Sequence, residues 1–247
     1  MSSALARSRK QRLGKELLCE RLFRPLAHPL VLALGRLRVP PPVVVVASGL
    51  AGLAAAAELG RGSLLAAALL IQLKTVLDNA DGQLARLTGR TSAFGRYLDS
   101  EIDLLVNAAL FAALALRTGA PAVALAGFLA LTTVLSVNFN AERLARNATA
   151  EPDRGGVPTA LLRRVYGIVY APQDRLAEWL VARRPALTAP RAVALLANLG
   201  MSTQLAVFGL CLVLGNPLAF AWLALGQLAV LALVFLPSRA AAAEETA

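Results

Sequence analysis

Apolar residues in this chain come in long runs rather than in narrow stripes, and the runs have the length of membrane crossings. A span needs about 20 mostly apolar residues to cross a hydrocarbon core roughly 30 Å thick. Read in order, the runs predict crossings at about 42–58, 63–87, 92–116, 121–144, 190–213 and 217–236. The pattern changes character in three places. Residues 5–22 set Leu13, Leu17, Leu18 and Leu22 at helical spacing among Arg12, Lys15, Glu16 and Arg21, which predicts an amphipathic helix on the inner membrane surface. The stretch 26–37, broken by Pro29, Gly35 and Arg36, is expected to pack beneath the bundle. Residues 158–184 read as an interfacial helix with Tyr166, Tyr170 and Trp179 at headgroup level.

The expected fold class is therefore all-α: a polytopic membrane helical bundle of six transmembrane helices plus an N-terminal amphipathic interfacial helix. Residues 1–38 form a juxtamembrane segment, 39–237 the six-span domain and 238–247 a tail. In the first span, Ser48, Gly49, Gly52 and Ala56 place small residues where a neighbouring helix can approach closely.

Composition agrees with this class. The chain is 57% hydrophobic and only 16% charged, less than the roughly one quarter a water-soluble domain carries. Its net charge of +10 raises nucleic acid as a partner, but the placement of the basic residues argues against it. They concentrate at the termini and in the loops that alternate crossings put inside, with Arg61 and Arg117 the outward exceptions. This is the positive-inside pattern, and such segments attract anionic membrane lipids. Cys19 and Cys211 lack metal-ligand spacing, and a single histidine, His28, makes a one-chain Ser-His-Asp triad or His-based metal site a poor reading.

Against this apolar background stand Asp78, Asp81, Asp99 and Asp103. A charged side chain deep in a bilayer costs several kcal/mol and usually serves a function. Asp78, Asp81 and Ala85 share one face of the second span, and Gly95, Asp99 and Asp103 share one face of the third. The two spans are antiparallel about a turn near residue 90, so the four carboxylates are expected to meet. At about 1.5 Å per residue, Asp78 lies roughly 22 Å from the outer end of its span, in the inner half of the membrane.

Facing carboxylates repel unless cations lie between them. Mg²⁺ or Mn²⁺ fits, and two such ions about 3.5–4 Å apart can clamp a pyrophosphate. Gly82 and Gly95 remove side chains where a phosphate or base must come close, and Arg86 supplies planar donors for phosphate oxygens. Lys74, one turn before Asp78, can face the same pocket or reach for the interface.

The run Asp78-x2-Asp81-Gly82-x2-Ala85-Arg86-x8-Gly95-x3-Asp99-x3-Asp103 resembles the full signature of the CDP-alcohol phosphatidyltransferase family, eight fixed residues across 26 positions. Many relatives enter the first span with a Pro-Asn pair, where this chain reads Pro40-Pro41-Pro42. The resemblance implies that Asp78, Asp81 and Asp99 ligate metal and that Asp103 joins them or acts as general base, with Asp99 the second choice of base. It implies that Gly82, Ala85, Arg86 and Gly95 hold the CDP moiety of a CDP-alcohol lipid, most readily CDP-diacylglycerol. It also implies a homodimer, which the small residues of several spans permit.

For the small alcohol acceptor the sequence offers Arg143, Arg146, Arg154, Arg163 and Arg164, at the inner end of the fourth span and beyond. These suit a polyol phosphate such as inositol phosphate or glycerol phosphate, and equally suit lipid headgroups. Another CDP-alcohol donor, a serine-type acceptor and a divalent-cation carrier remain open alternatives. The Ala- and Arg-rich composition suggests a bacterial cell membrane, with both termini and the site facing the cytoplasm.

Overall fold

The structure, a computed structural model, describes residues 13–146, 157–169 and 171–235. Proline and glycine set the ends of its helices. A π-helical turn, Cys19–Phe23, runs into α1 (Arg24–Arg36). Helix α2 (Pro41–Arg61) starts on prolines, which fit a first turn whose N–H groups have no partner, and stops at Gly62, whose φ of 90° is left-handed. Helices α3 (Leu64–Leu87), α4 (Ala93–Thr118) and α5 (Pro121–Ala145) follow. The Ser92 hydroxyl accepts from the Gly95 backbone N–H at 3.0 Å and caps α4.

The expected interfacial helix is two helices, α6 (Val157–Val169) and α7 (Ala171–Ala182), and a short 3₁₀ turn, Pro185–Thr188, follows them. The expected fifth span is likewise broken, into α8 (Pro190–Ala197) and α9 (Met201–Val213), and α10 (Leu218–Phe235) closes the described chain. Among the described residues every regular element is helical.

Among the described residues three stretches are long and apolar enough to cross a membrane: Pro41–Arg61, Pro121–Ala145 and Pro190–Val213. Helices α3 and α4 have the length, 24 and 26 residues, but carry Lys74 and the acidic side chains. Leu218–Leu233 is a shorter apolar helix. The amphipathic helix expected over 5–22 falls partly outside the described residues; within them, helix begins only at Leu17.

The segment before that point is tied down by polar contacts. Buried Glu16 accepts from the Thr203 backbone N–H at 2.7 Å and from its hydroxyl at 3.0 Å, at the start of α9. Asn198, in the break before α9, accepts from the Leu17 N–H at 2.9 Å and donates to the Lys15 carbonyl at 3.3 Å. The interruption between α8 and α9 thus has its exposed backbone and polar groups partnered by the N-terminal segment.

Helix α2 is the wedge of the bundle. It packs along α3 and along α4, which each approach α2 more closely than they approach one another. A Cβ on Gly49 would lie 2.7 Å from Ile102 Cγ2, and one on Gly52 would lie 2.5 Å from Val106 Cγ1, so the small residues of α2 set its distance from α4. On the far side, Phe111, Phe128, Phe208 and Phe220 join α4, α5, α9 and α10, with Phe208 and Phe220 stacked at 4.4 Å between centroids.

Candidate active site

Because α2 holds α3 and α4 side by side, the acidic faces of those two helices look into one crevice. Asp78, Asp99 and Asp103 each bring a carboxylate oxygen to within 4.8 Å of the others. Asp81 is buried beside them, 7% exposed, within electrostatic reach of Asp99, Asp78 and Asp103. Its Oδ2 is buried with no hydrogen-bond donor. Three oxygens at that separation, with an orphaned carboxylate oxygen alongside, fit a hard divalent cation that takes oxygen ligands.

Lys74 faces the crevice. Its Nζ donates to Asp78 Oδ1 at 2.9 Å and to Asp103 Oδ1, joining α3 to α4. The Arg86 guanidinium folds back over Gly82, where a Cβ would stand 3.2 Å from Nη1. A Cβ on Gly95 would meet only Ser92 Oγ within 4 Å, at 3.3 Å, so the crevice is open at that point. Ala85 is partly exposed on the same turn of α3 as Arg86.

Asp103 also lines a second space, a cavity of about 250 Å³ bounded by Ser100, Asn107, Thr132, Ser136, Tyr166 and Asp174 among others. Asp174, in the first turn of α7, accepts from Ser136 Oγ at 2.6 Å and from the Tyr166 hydroxyl. Asn140 Nδ2 donates to the Asp174 carbonyl at 3.4 Å. Burial and the hydrogen bond to Asp174 push the Tyr166 phenol above its usual pKa, so it stays a donor.

These lining residues were legible only in part. Ser100, Asp103 and Asn107 share a face of α4, and Thr132, Ser136 and Asn140 recur every fourth residue along α5, a polar stripe in an otherwise apolar span. Asp174 carries no such signal, because only the folding of α7 against α5 brings it inward. Tyr166, expected at the headgroup level, turns toward Asp174 and packs edge-on against Tyr97 at 5.6 Å.

The arginines offered for the acceptor lie elsewhere. Arg143 pairs with Glu178 at 2.6 Å and donates to Asn140 Oδ1 at 3.1 Å, and Arg146 pairs with Glu142 at 3.5 Å. Arg163 and Arg164 are exposed on α6. None of these four lines the cavity, and Arg154 lies outside the described residues.

A helical bundle with three membrane-length apolar stretches among its described residues, and an acidic cluster between two further long helices that could hold a metal ion, has the character of an integral membrane protein. The family model for CDP-alcohol phosphatidyltransferase matches residues 26–228, and the chain belongs to that family.

Several curated relatives match over shorter stretches. The chain is similar to the bifunctional IPC transferase and DIPP synthase of Thermococcus kodakarensis, 40% identical over 82 residues, covering 33% of this chain and 19% of that protein. It is similar to the archaetidylinositol phosphate synthases of Aeropyrum pernix, 36% identical over 93 residues (38% of this chain, 48% of that one), and Methanothermobacter thermautotrophicus, 30% identical over 118 residues (47% and 60%). The matched stretch thus spans between about a fifth and three fifths of these relatives' lengths.

Proposed function

We propose that this chain transfers the phosphatidyl group of a CDP-linked lipid, CDP-diacylglycerol, to a hydroxyl of a polyol phosphate and releases CMP. The observation that carries the reading is the position of Asp103, which belongs both to the acidic cluster and to the wall of a small polar cavity. One carboxylate therefore adjoins the place where a pyrophosphate would be held and the place where a small alcohol would wait. The archaeal relatives, named archaetidylinositol phosphate synthases, favour an inositol-type acceptor.

Asp78, Asp81, Asp99 and Asp103 would hold Mg²⁺ or Mn²⁺, whose chemistry here is to neutralise the charge of the transferring phosphate. Gly82, Ala85, Arg86 and Gly95 bind the CDP portion: the glycines leave room for it, and Arg86 brings planar donors to its phosphate oxygens. In the cavity, Ser100, Asn107, Thr132 and Ser136 offer neutral hydrogen-bonding groups to acceptor hydroxyls. Asp103 accepts the proton of the attacking hydroxyl. The new bond forms from that oxygen to the β-phosphorus, and the bond to the CMP oxygen breaks. The acyl chains remain among the apolar helices.

The six-span arrangement, the cytoplasmic face for the site and a homodimer complete the proposal. Arg143, Arg146, Arg154, Arg163 and Arg164 retain a place in it as cations that draw an anionic acceptor towards the cavity mouth. The test is direct: the purified chain with CDP-diacylglycerol, Mg²⁺ or Mn²⁺ and a panel of polyol phosphates, free polyols and serine. CMP release with a polyol phosphate and not with serine is the expected result. Release with serine alone moves the acceptor class, and no release with any acceptor sinks the transferase reading.

A further inference from the structure

Lys74 is outside the family signature, yet it is a long charged side chain that is all but completely buried, at 2% exposed. Burying an ammonium is costly unless it is paired. Here the pairing is with the two carboxylates that face each other across the crevice, Asp78 on α3 and Asp103 on α4. The Lys74 carbonyl in turn accepts from Ser48 Oγ of α2 at 3.4 Å, so the residue is fixed from a third helix as well. The two acidic helices approach α2 more closely than each other, and the lysine spans the gap between them.

We propose that Lys74 is a positioning residue: its ammonium holds Asp78 and Asp103 in place before a divalent ion arrives, and it competes with that ion for the same carboxylates. The electrostatic logic is simple. Asp78, Asp81, Asp99 and Asp103 share one small space, and Lys74 is the cation that two of them already contact. Part of the negative charge that would attract a divalent ion is thus already neutralised, so the ion binds less tightly than four bare carboxylates would hold it. In return the cluster stays assembled when no ion is bound. Asp103, shared with the acceptor cavity, is kept pointing into the crevice by the same contact.

The inference rests on the reading that these aspartates hold a divalent ion. The experiment uses the full chain in detergent, with Mn²⁺ as probe, and compares wild type, Lys74→Met and Lys74→Arg. Mn²⁺ affinity is read from the free-ion electron paramagnetic resonance signal, and thermal stability is measured in EDTA and in Mn²⁺. Lys74→Met is expected to bind Mn²⁺ about tenfold more tightly or better, because the competing cation is gone. It should also melt several degrees lower in EDTA and recover when Mn²⁺ is added, while Lys74→Arg stays near wild type in both.

A side chain with only a packing role would lower stability equally with and without the ion and would not tighten its binding. Unchanged or weaker Mn²⁺ affinity in Lys74→Met overturns the proposal. So does a Lys74→Met chain that cannot be obtained folded even with Mn²⁺ present, since the ion should replace the ammonium. A wild-type chain that takes up no Mn²⁺ at all strikes instead at the metal reading of the aspartates.

Discussion

Asp103 and Asp174 line one cavity although 71 positions separate them in the chain, the first on a helix of the acidic crevice and the second on a short helix beyond the bundle's fourth long span. The relationship matters because Asp103 is shared with the acidic cluster, whereas Asp174 is held by Ser136 and Tyr166. A small acceptor lying between them would present one hydroxyl to Asp103 and others to Asp174.

The first prediction follows. Asp174→Asn keeps the shape and loses the charge that would receive hydrogen bonds from acceptor hydroxyls in the proposed reading. Hydrogen bonds to charged groups contribute about 1.5–3 kcal/mol, so KM for the acceptor should rise roughly ten- to a hundredfold. The donor's KM should be unchanged and kcat only modestly lower. Steady-state kinetics with each substrate varied in turn would show it, and a rise confined to the donor KM would remove Asp174 from the acceptor site.

Tyr166 gives a prediction in pH. Its phenol is raised above its ordinary value of about 10 by burial and by the hydrogen bond to Asp174. A raised acid favours the protonated form in the fold, so this contribution to stability is fully present below about pH 10 and is lost as pH rises towards the folded-state value. Melting temperatures measured from about pH 8 to 11 should therefore fall less steeply in Tyr166→Phe than in wild type. The variant should also be less stable at neutral pH, because Asp174 loses a donor. Parallel alkaline profiles would show that Tyr166 does not carry the effect.

How much of this could be read from the chain differs by length scale. The helices of 21 to 26 residues, α2 to α5, were legible because a long, mostly apolar run with a Pro or Gly beside its end dictates little else. The meeting of Asp78, Asp99 and Asp103 was legible because two helical periodicities and one tight turn fix which faces oppose. What escaped was set by tertiary contacts. The break at Asn198 to Gly200 lies inside an apolar run that reads as one span, and Leu17 and Glu16 partner Asn198 and Thr203 there from 181 residues or more away in sequence. Lys74 had two plausible directions until Asp103 arrived from another helix. The arginines offered for the acceptor stand out in the sequence by charge, and charge alone does not say that Arg143 is met by Glu178.

The wedge of α2 gives the third prediction. A methyl at Gly52 would fall 2.5, 2.8 and 3.2 Å from Val106 Cγ1, Cγ2 and Cβ. A β-branched side chain in a helix has essentially one rotamer and cannot swing away. Gly52→Ala should cost about 1–3 kcal/mol of stability by overpacking. Adding Val106→Ala should recover most of it, a coupling that a double-mutant cycle on melting in detergent would measure. Since Val106 is one turn from Asp103, the single variant should also lose turnover and the double regain it. Additive losses would show that the two residues do not meet.

The last prediction concerns Asp81, where stability and activity should move in opposite directions. Its carboxylate is buried, has an oxygen with no donor, and stands among three further carboxylates. Nothing in the described contacts explains such a group as part of the scaffold, since an unpaired buried charge weakens a fold. Asp81→Asn removes a negative charge from a crowded site without changing its volume. In EDTA the variant should therefore melt at or above the wild-type temperature, the behaviour expected where a site is kept strained for function. If Asp81 helps hold the ion that neutralises the transferring phosphate, CMP release should drop by about 10²-fold or more, the scale on which a lost electrostatic stabiliser acts. Asp81→Ala should do the same to turnover. Melting curves in EDTA and CMP release under saturating substrates decide the matter together. A variant that melts lower yet turns over normally would make Asp81 a structural residue after all and leave Asp78, Asp99 and Asp103 to bind the ion without it.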